Sequence, residues 1–278
     1  QTGGATIAIG HRAAYKQRVN ATTYNTYVGT SAGQENTSGI ENIFIGYDAG
    51  RGQSGAHPDR GTFVGFRAGY SILGNDSTLI GNEAGYFATG SYNTFVGSNA
   101  GKGGTTSAPY SSGQNNVAVG YNAFDAFTTA QAVVAIGSSA GTSITSGGYH
   151  VLIGTQAGQM ITGGNYTTHI GYRASRYNTG AYNTSLGFSA LLGVNGQSNG
   201  QNNTAVGYES MYPVTTAAGG VGLGHQSLRA LTSGGSNTGI GMQAAYSVTT
   251  GVENTALGQT ALFYNQTGNY NVAIGRAS

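Results

Sequence analysis

The sequence predicts an all-β protein, a parallel β-solenoid (a β-roll or β-helix) of about 16 coils, and three observations support this. Sixteen copies of a motif of the type Asn-Thr-Ala-Val-Gly fill the 278 residues, most often 17 residues apart. A 17-residue period is too short for a helical hairpin or a propeller blade and suits one coil of a solenoid. The 50 glycines follow no three-residue period, which excludes collagen.

The residues that lead into each motif glycine predict a short strand. The residue three positions before the glycine is always β-branched, and the residue immediately before it is always Val, Ile or Leu. Thr94-Phe95-Val96 before Gly97 is one example. β-Branched residues in an alternating pattern are typical of strands. Each coil should therefore contribute one strand to a common sheet.

We call the glycine that ends each motif the anchor glycine. A glycine at a fixed strand end indicates positive φ or a close backbone approach. Ala follows three residues later in 13 copies, which indicates a crowded interior corner, and Asn precedes the anchor by four residues in nine copies. The structural repeat predicted on this basis includes Gly29, Gly46, Gly97, Gly120, Gly207, Gly258, Gly275, Asn25, Asn93, Asn203, Asn254, Asn271, Ala32, Ala49 and Ala100.

Residue sizes trade off between two positions, two before and four after the anchor. Large residues at the first position accompany glycine at the second in one part of the chain: Tyr27, Phe44, Phe63 and Phe95 with Gly33, Gly50, Gly69 and Gly101. The order is reversed later: Ala118, Ser185, Ala205, Gly222 and Ala256 with Phe124, Leu191, Met211, Leu228 and Leu262. A core of constant volume requires such compensation. No linker interrupts the repeat, so we predict one continuous domain over residues 1–278.

Composition argues against several functions. The 11 basic residues are scattered and give a net charge of only +2, so no nucleic-acid partner is indicated. The chain has no cysteine, its five histidines lack metal-ligand spacing, and no apolar run is long enough to span a membrane. We expect no cofactor, no metal and no enzymatic activity.

Two carboxylates form the strongest catalytic candidate. Asp48 and Glu83 both lie two residues after an anchor, two coils apart, with Arg67 at the same position between them. A glycosidase needs two carboxyl groups within several Å of each other. A solvated ladder with a bridging arginine is the alternative that we favour. A polysaccharide-binding or polysaccharide-degrading spike is therefore the first alternative function.

Surface positions suggest where a partner could bind. The residue after the anchor is variable and includes Tyr47, Tyr121, Tyr172 and Tyr208, which we predict to be exposed binding positions. Long coils place insertions at 15–18, 51–60, 102–114 and 193–201. Such loops serve adhesion or merely decorate the surface. The Thr residues three positions before the anchor suggest an ice-binding solenoid as the second alternative function. Ice binding requires that these Thr residues form an exposed face.

The unit Asn-Thr-Ala-Val-Gly-Tyr at 203–208, and its variant at 116–121, resembles two known groups. One is the β-roll head repeat of trimeric autotransporter adhesins, whose period is shorter. The other is the Gly-rich repeat of bacteriophage tail fibres and bacterial surface proteins. This resemblance implies a structural subunit of an extracellular fibre or filament and no catalytic residues. Its expected partners are copies of itself, end to end or as a homotrimer, and cell-surface glycans. Because Ser278 lies partway through a unit, we expect either a joint with another copy or a chaperone cleaved away there.

Overall fold

A computed structural model describes residues 5–18, 23–53, 57–104 and 110–278. These residues contain 16 strands and no helix, and the strands form one sheet in chain order. The paired strands run parallel, about one repeat apart, which confirms the predicted β-solenoid. The strands are β1 (Ile7–Ile9), β2 (Thr26–Val28), β3 (Ile43–Ile45), β4 (Thr62–Val64), β5 (Thr78–Ile80), β6 (Thr94–Val96), β7 (Val117–Val119), β8 (Gln131–Ile136), β9 (Gly148–Ile153), β10 (Asn165–Ile170), β11 (Thr184–Leu186), β12 (Thr204–Val206), β13 (Val221–Leu223), β14 (Thr238–Ile240), β15 (Thr255–Leu257) and β16 (Val272–Ile274).

Side chains alternate along each strand as the pleat requires. In β2 to β16 the residue two before the anchor is buried, while its two neighbours point outward and are partly or largely exposed. Pairing shows no slip, so Thr184 pairs with Thr204 and Leu186 with Val206. Within each unit, equivalent residues therefore form continuous columns from coil to coil.

The chain divides into two compact units by its internal contacts. Unit 1 comprises Gln1–Ser138 and Ser143–Gly147, and unit 2 comprises Ser139–Thr142 and Gly148–Ser278. Each unit is described by itself below. The expectation of one continuous domain over residues 1–278 stays a prediction.

Stacked aromatic rings fill much of the interior of unit 1. The rings of Tyr27 and Phe44 stack with centroids 5.0 Å apart, and those of Phe44 and Phe63 are 5.2 Å apart. A Cβ placed on Gly33 would lie 2.2 Å from the Tyr27 ring, and one on Gly50 would lie 2.0 Å from the Phe44 ring. Glycine at these positions makes room for the rings, as the size compensation predicts.

The interior of unit 2 is mainly aliphatic, and here the packing partner differs from the sequence-based pairing. A Cβ on Gly222 would lie 2.8 Å from Cγ of Met211, and one on Gly239 would lie 3.0 Å from Cγ of Leu228. Gly222 was expected to compensate for Leu228 of its own coil. The side chains nearest to it are instead Ser210 and Met211 of the preceding coil, because the side chains after the anchor lean over the next strand.

The anchor glycines have φ between 121° and 137°. Within each unit they also lie close to the backbone of the next coil. A Cβ on Gly29 would lie 2.4 Å from the carbonyl oxygen of Gly46, so both φ and the close approach require glycine. Two overlapping turns follow. The Ala32 amide donates to the Gly29 carbonyl, and the Gln34 amide donates to that of Ser31. Ser31 and Gly33 have φ of 56° and 57°, the sign that type II turns require at their third residue.

Candidate functional site

A column of buried Asn side chains, four residues before the anchor, links successive coils. Asn183 donates from Nδ2 to the carbonyl oxygens of Gly180 (2.9 Å) and Gly200 (2.8 Å). Its Oδ1 accepts a hydrogen bond from the Asn203 amide at 2.9 Å. Asn25, Asn93, Asn203 and Asn254 likewise accept an amide of the next coil and donate to a backbone carbonyl. The Asn side chain thus provides the hydrogen bonds between coils at the point where the backbone pairing of the strands ends. We call these residues the Asn column.

The Asn column is interrupted where the strands are longest. In β8, β9 and β10 the equivalent residues are Val133, His150 and Thr167, and each strand has six residues rather than three. Backbone pairing continues there, since Asn165 pairs with Gly148. Most strands therefore begin after a bend at which Asn occupies this position. In these three coils another residue replaces Asn, and the strand extends further back along the chain.

The four predicted surface tyrosines are exposed, between 40% and 58%. Tyr172, Phe188, Tyr208 and His225 form one continuous stack with centroids 5.2 Å apart, and Tyr47 stacks on Phe66 at 5.4 Å. Stacking covers the ring faces and leaves the edges to solvent. These columns therefore offer little free ring face on which a sugar could stack.

A second exposed aromatic column was missed from the sequence. Tyr149, Tyr166 and Tyr182, five residues before their anchors, stack with centroids 5.1 and 5.7 Å apart. Their φ values lie near 60°, which is uncommon for tyrosine. Tyr occurs at this position in six copies of the repeat, and that recurrence was the available signal.

The predicted carboxylate pair belongs to a ladder of alternating charges. The Arg67 guanidinium lies 3.8 Å from Asp48 and 4.0 Å from Glu83, and Lys102 lies 2.6 Å from Glu83. All three predicted residues have φ near 54°, so the left-handed turn position aims them along one column. Two coils separate the carboxylates by about 10 Å, with a cation between them. The bridging arginine is as expected for the favoured ladder, but Asp48 is buried, so the expectation of a solvated ladder is wrong at this residue.

Burial perturbs two carboxyl groups. Desolvation raises the pKa of Asp48, which is 3% exposed, although Arg51 and Arg67 oppose the shift. Burial also raises the pKa of Asp125 to about 6, and among the described residues Lys102 is the charged group that opposes this shift. A raised carboxyl pKa is typical of a general acid, but a glycosidase also needs a second carboxylate. Asp125 has no acidic neighbour that perturbs it.

A buried polar cluster lies inside unit 2. His150 Nδ1 bonds to Thr167 Oγ1 at 2.8 Å, and His169 Nδ1 bonds to Ser185 Oγ at 2.9 Å. Among the residues that the structure describes, their Nε2 atoms have no hydrogen-bond partner. Desolvation lowers the pKa of His150 to about 4 and that of His169 to about 3. Both rings are therefore neutral near pH 7.

The predicted insertions lie partly outside the described residues, namely at 54–56 and 105–109. In the first insertion Lys16 forms an ion pair of 2.6 Å with Glu35 of the next coil. In the last, Ser198 Oγ donates to the Val214 carbonyl at 2.6 Å. Both insertions are thus tied to the neighbouring coil.

Across residues 5–18, 23–53, 57–104 and 110–278, no three His, Cys, Asp or Glu side chains are grouped so that they could hold a metal ion. The same residues include no helix with the length and apolarity needed to cross a membrane. Comparisons with family models, with curated proteins and with solved structures find no match to this chain.

Proposed function

We propose that the chain is a structural subunit of an extracellular fibre or filament that assembles with copies of itself. The observation that carries this proposal is that, within a unit, successive coils bond to each other in the strands and in the turns, and that Asn side chains add a third contact where the Asn column is present. Between two coils of unit 2, the Thr204 amide bonds to the Gly220 carbonyl at 2.9 Å in the strand, and the Met211 amide bonds to the Ser227 carbonyl at 2.9 Å in the turn. The Gly220 amide bonds to Asn203 Oδ1, also at 2.9 Å.

A shaft is the role that such a repeat suits best. Each coil satisfies its backbone groups through its neighbours, so the stack depends on nearest-neighbour contacts and on no ligand. The best carboxylate pair is bridged by Arg67. That arrangement favours a structural role over polysaccharide cleavage. The resemblance of residues 203–208 to fibre repeats supports an extracellular location.

Electron microscopy of the purified chain, with light scattering for mass, tests this proposal. We expect filaments, or particles with the mass of three chains. A monomer at every concentration tested would contradict it. Incubation with cell-surface glycans, followed by analysis of the glycans for cleavage, provides the enzymatic control. Cleavage that is lost in Asp48→Asn and Glu83→Gln would support the polysaccharide-degrading alternative instead.

A further inference from the structure

The outward side chains of the strands form a surface of unusual uniformity, which we call the outer face. It comprises the residues three before and one before each anchor glycine. All 32 of these residues, two from each of 16 strands, are Thr, Val, Ile or Leu. No strand contains a charged residue. Several of the apolar members are well exposed, among them Leu186, Leu223 and Leu257 at 44–46%.

The outer face is regular in two directions. Within each unit, every described strand pair aligns equivalent residues without a shift. Neighbouring rows are therefore about 4.8 Å apart, and the two outward residues of one row are about 6.7 Å apart. Backbone hydrogen bonds between strands fix the first spacing, and the extended backbone of each strand fixes the second. The face is thus a rigid lattice of methyl groups and hydroxyls.

The Thr hydroxyls of the outer face differ from other Thr hydroxyls of the chain. Thr128, Thr215, Thr232 and Thr249, in the turns, each donate to a backbone carbonyl of the next coil. The nine Thr residues of the outer face form no side-chain hydrogen bond with the described residues: Thr26, Thr62, Thr78, Thr94, Thr168, Thr184, Thr204, Thr238 and Thr255. Their hydroxyls are left to bind water.

The chemistry of the outer face indicates its occupant. Protein interfaces depend on a few large anchors, chiefly Trp, Tyr and Arg, and the outer face contains none of these. A charged or glycan ligand would require charged or concentrated polar groups, which are also missing from the strands. Water ordered by the Thr hydroxyls of one column, beside a parallel column of methyl groups, matches this surface. Hydroxyls of neighbouring Thr rows, such as Thr184 and Thr204, are about 4.8 Å apart, which is close to a repeat distance between oxygen atoms in hexagonal ice.

We propose that the outer face binds ice, through a layer of water held by the Thr hydroxyls and the flanking methyl groups. Binding needs no change in the fold, because the lattice is already fixed by the strand ladder. The proposal is independent of fibre assembly: a fibre subunit without it would still assemble, and an ice-binding chain need not form fibres.

The test compares two triple variants of the full chain. Thr94→Lys, Thr184→Lys and Thr204→Lys place bulky charges on the outer face. Thr129→Lys, Thr216→Lys and Thr250→Lys add the same charge at equally exposed Thr residues away from it. Thermal hysteresis and the fraction of protein captured in slowly growing ice are measured for both variants and the unmodified chain. Circular dichroism checks folding, and light scattering measures mass.

We expect the unmodified chain and the control variant, with Lys at 129, 216 and 250, to enter ice and to depress its growth temperature. The outer-face variant, with Lys at 94, 184 and 204, should lose both effects while it remains folded. Exclusion of the unmodified chain from ice, as for a co-dissolved inert protein, would overturn the proposal. So would equal capture of both variants. A lower particle mass in the outer-face variant alone would overturn it too, since the face would then be a contact between copies.

Discussion

At the scale of single residues, the two units differ in how a coil accommodates a buried polar ring two residues before the anchor. In unit 1, Asn36 Nδ2 donates to the Tyr27 hydroxyl at 2.9 Å, and Gly33 leaves room for the ring. In unit 2 the equivalent residues are His169, Ser175 and Asn178. Their Nε2, Oγ and Nδ2 atoms are buried without hydrogen-bond partners. Imidazole is shorter than phenol, so the ring does not reach the amide.

Introducing Tyr at position 169 and Gly at position 175, as at positions 27 and 33 of unit 1, should therefore stabilise unit 2. His169→Tyr alone places a ring against the Ser175 side chain, and such overpacking costs about 1–3 kcal/mol. Adding Ser175→Gly removes that clash, and Ser185→Ala removes the hydroxyl that loses its histidine partner. We expect the triple variant to exceed the single variant in free energy of unfolding by about 2 kcal/mol. Urea unfolding measures this, and equal stabilities would show that position 175 does not limit the ring.

Acid should destabilise unit 2 through the same histidine. The pKa of His169 falls from 6.5 to about 3 on folding because burial penalises the charged ring. The unfolded chain therefore binds more protons between these values, and stability present above pH 6.5 is lost as the pH falls toward 3. Each displaced pKa unit is equivalent to about 1.4 kcal/mol. His150, whose pKa burial lowers to about 4, acts in the same direction. Asp125 lies in unit 1, and its raised pKa acts in the opposite direction there.

Comparison of variants isolates the histidine contribution to the acid response. Urea unfolding of the unmodified chain and of the triple variant is followed from pH 7 to pH 3. The triple variant lacks His169 and keeps Asp125, so its stability should fall less. Parallel pH profiles would contradict an effect of this ring.

At the scale of the repeating element, the Asn column should matter more than its small size suggests. Asn183→Leu leaves the Asn203 amide and the carbonyls of Gly180 and Gly200 without this partner. Each buried unsatisfied group costs about 1–3 kcal/mol. We expect a loss of several kcal/mol in urea unfolding. Asn199→Leu, an exposed change in the same coil, should alter stability by less than about 0.5 kcal/mol.

The sequence was sufficient to predict the elements of the coil whose residue types recur. Strand, anchor glycine and inner Ala each follow from a fixed residue class, and Ala32 and Ala49 are fully buried as expected. The left-handed residue two after the anchor was not predicted, because residues as different as Asp48 and Arg67 occupy it. Contacts between coils, such as Gly222 with Met211, also escaped prediction, since a repeat pattern does not reveal which way a side chain leans.

At the scale of the molecule, stacking in sequence order predicts graded unfolding within a unit. Gly207→Ala would place a Cβ 2.4 Å from the Gly224 carbonyl oxygen at a φ of 128°. Coils contact only their neighbours, so damage should spread from the substituted coil. Hydrogen exchange should show loss of protection in β12 and β13 and stronger retained protection in β15.

Gly196→Ala is the matched control for this substitution. Gly196 also has a positive φ, 71°, but none of the described residues lies within 4 Å of the added Cβ, so only the close contact differs. Gly196→Ala should leave the exchange pattern of these strands unchanged. Uniform loss of protection across unit 2 in Gly207→Ala would contradict independent coils and would show that the unit opens as a whole.

The Asn column also determines where in the protein asparagine deamidation is expected. Deamidation begins when the backbone nitrogen of the following residue attacks the Asn side-chain carbonyl, and it is one reason that asparagine is thermolabile. In the column that following residue is β-branched, as Thr184 after Asn183, and the amide is held by hydrogen bonds on both sides. Asn195, exposed and followed by Gly196, has neither protection. Conversion in the column would bury a carboxylate among backbone carbonyls. Deamidation would therefore damage the coil most in the Asn column, where the fold protects the side chains best. The first deamidated residues should instead appear in the insertion at 193–201.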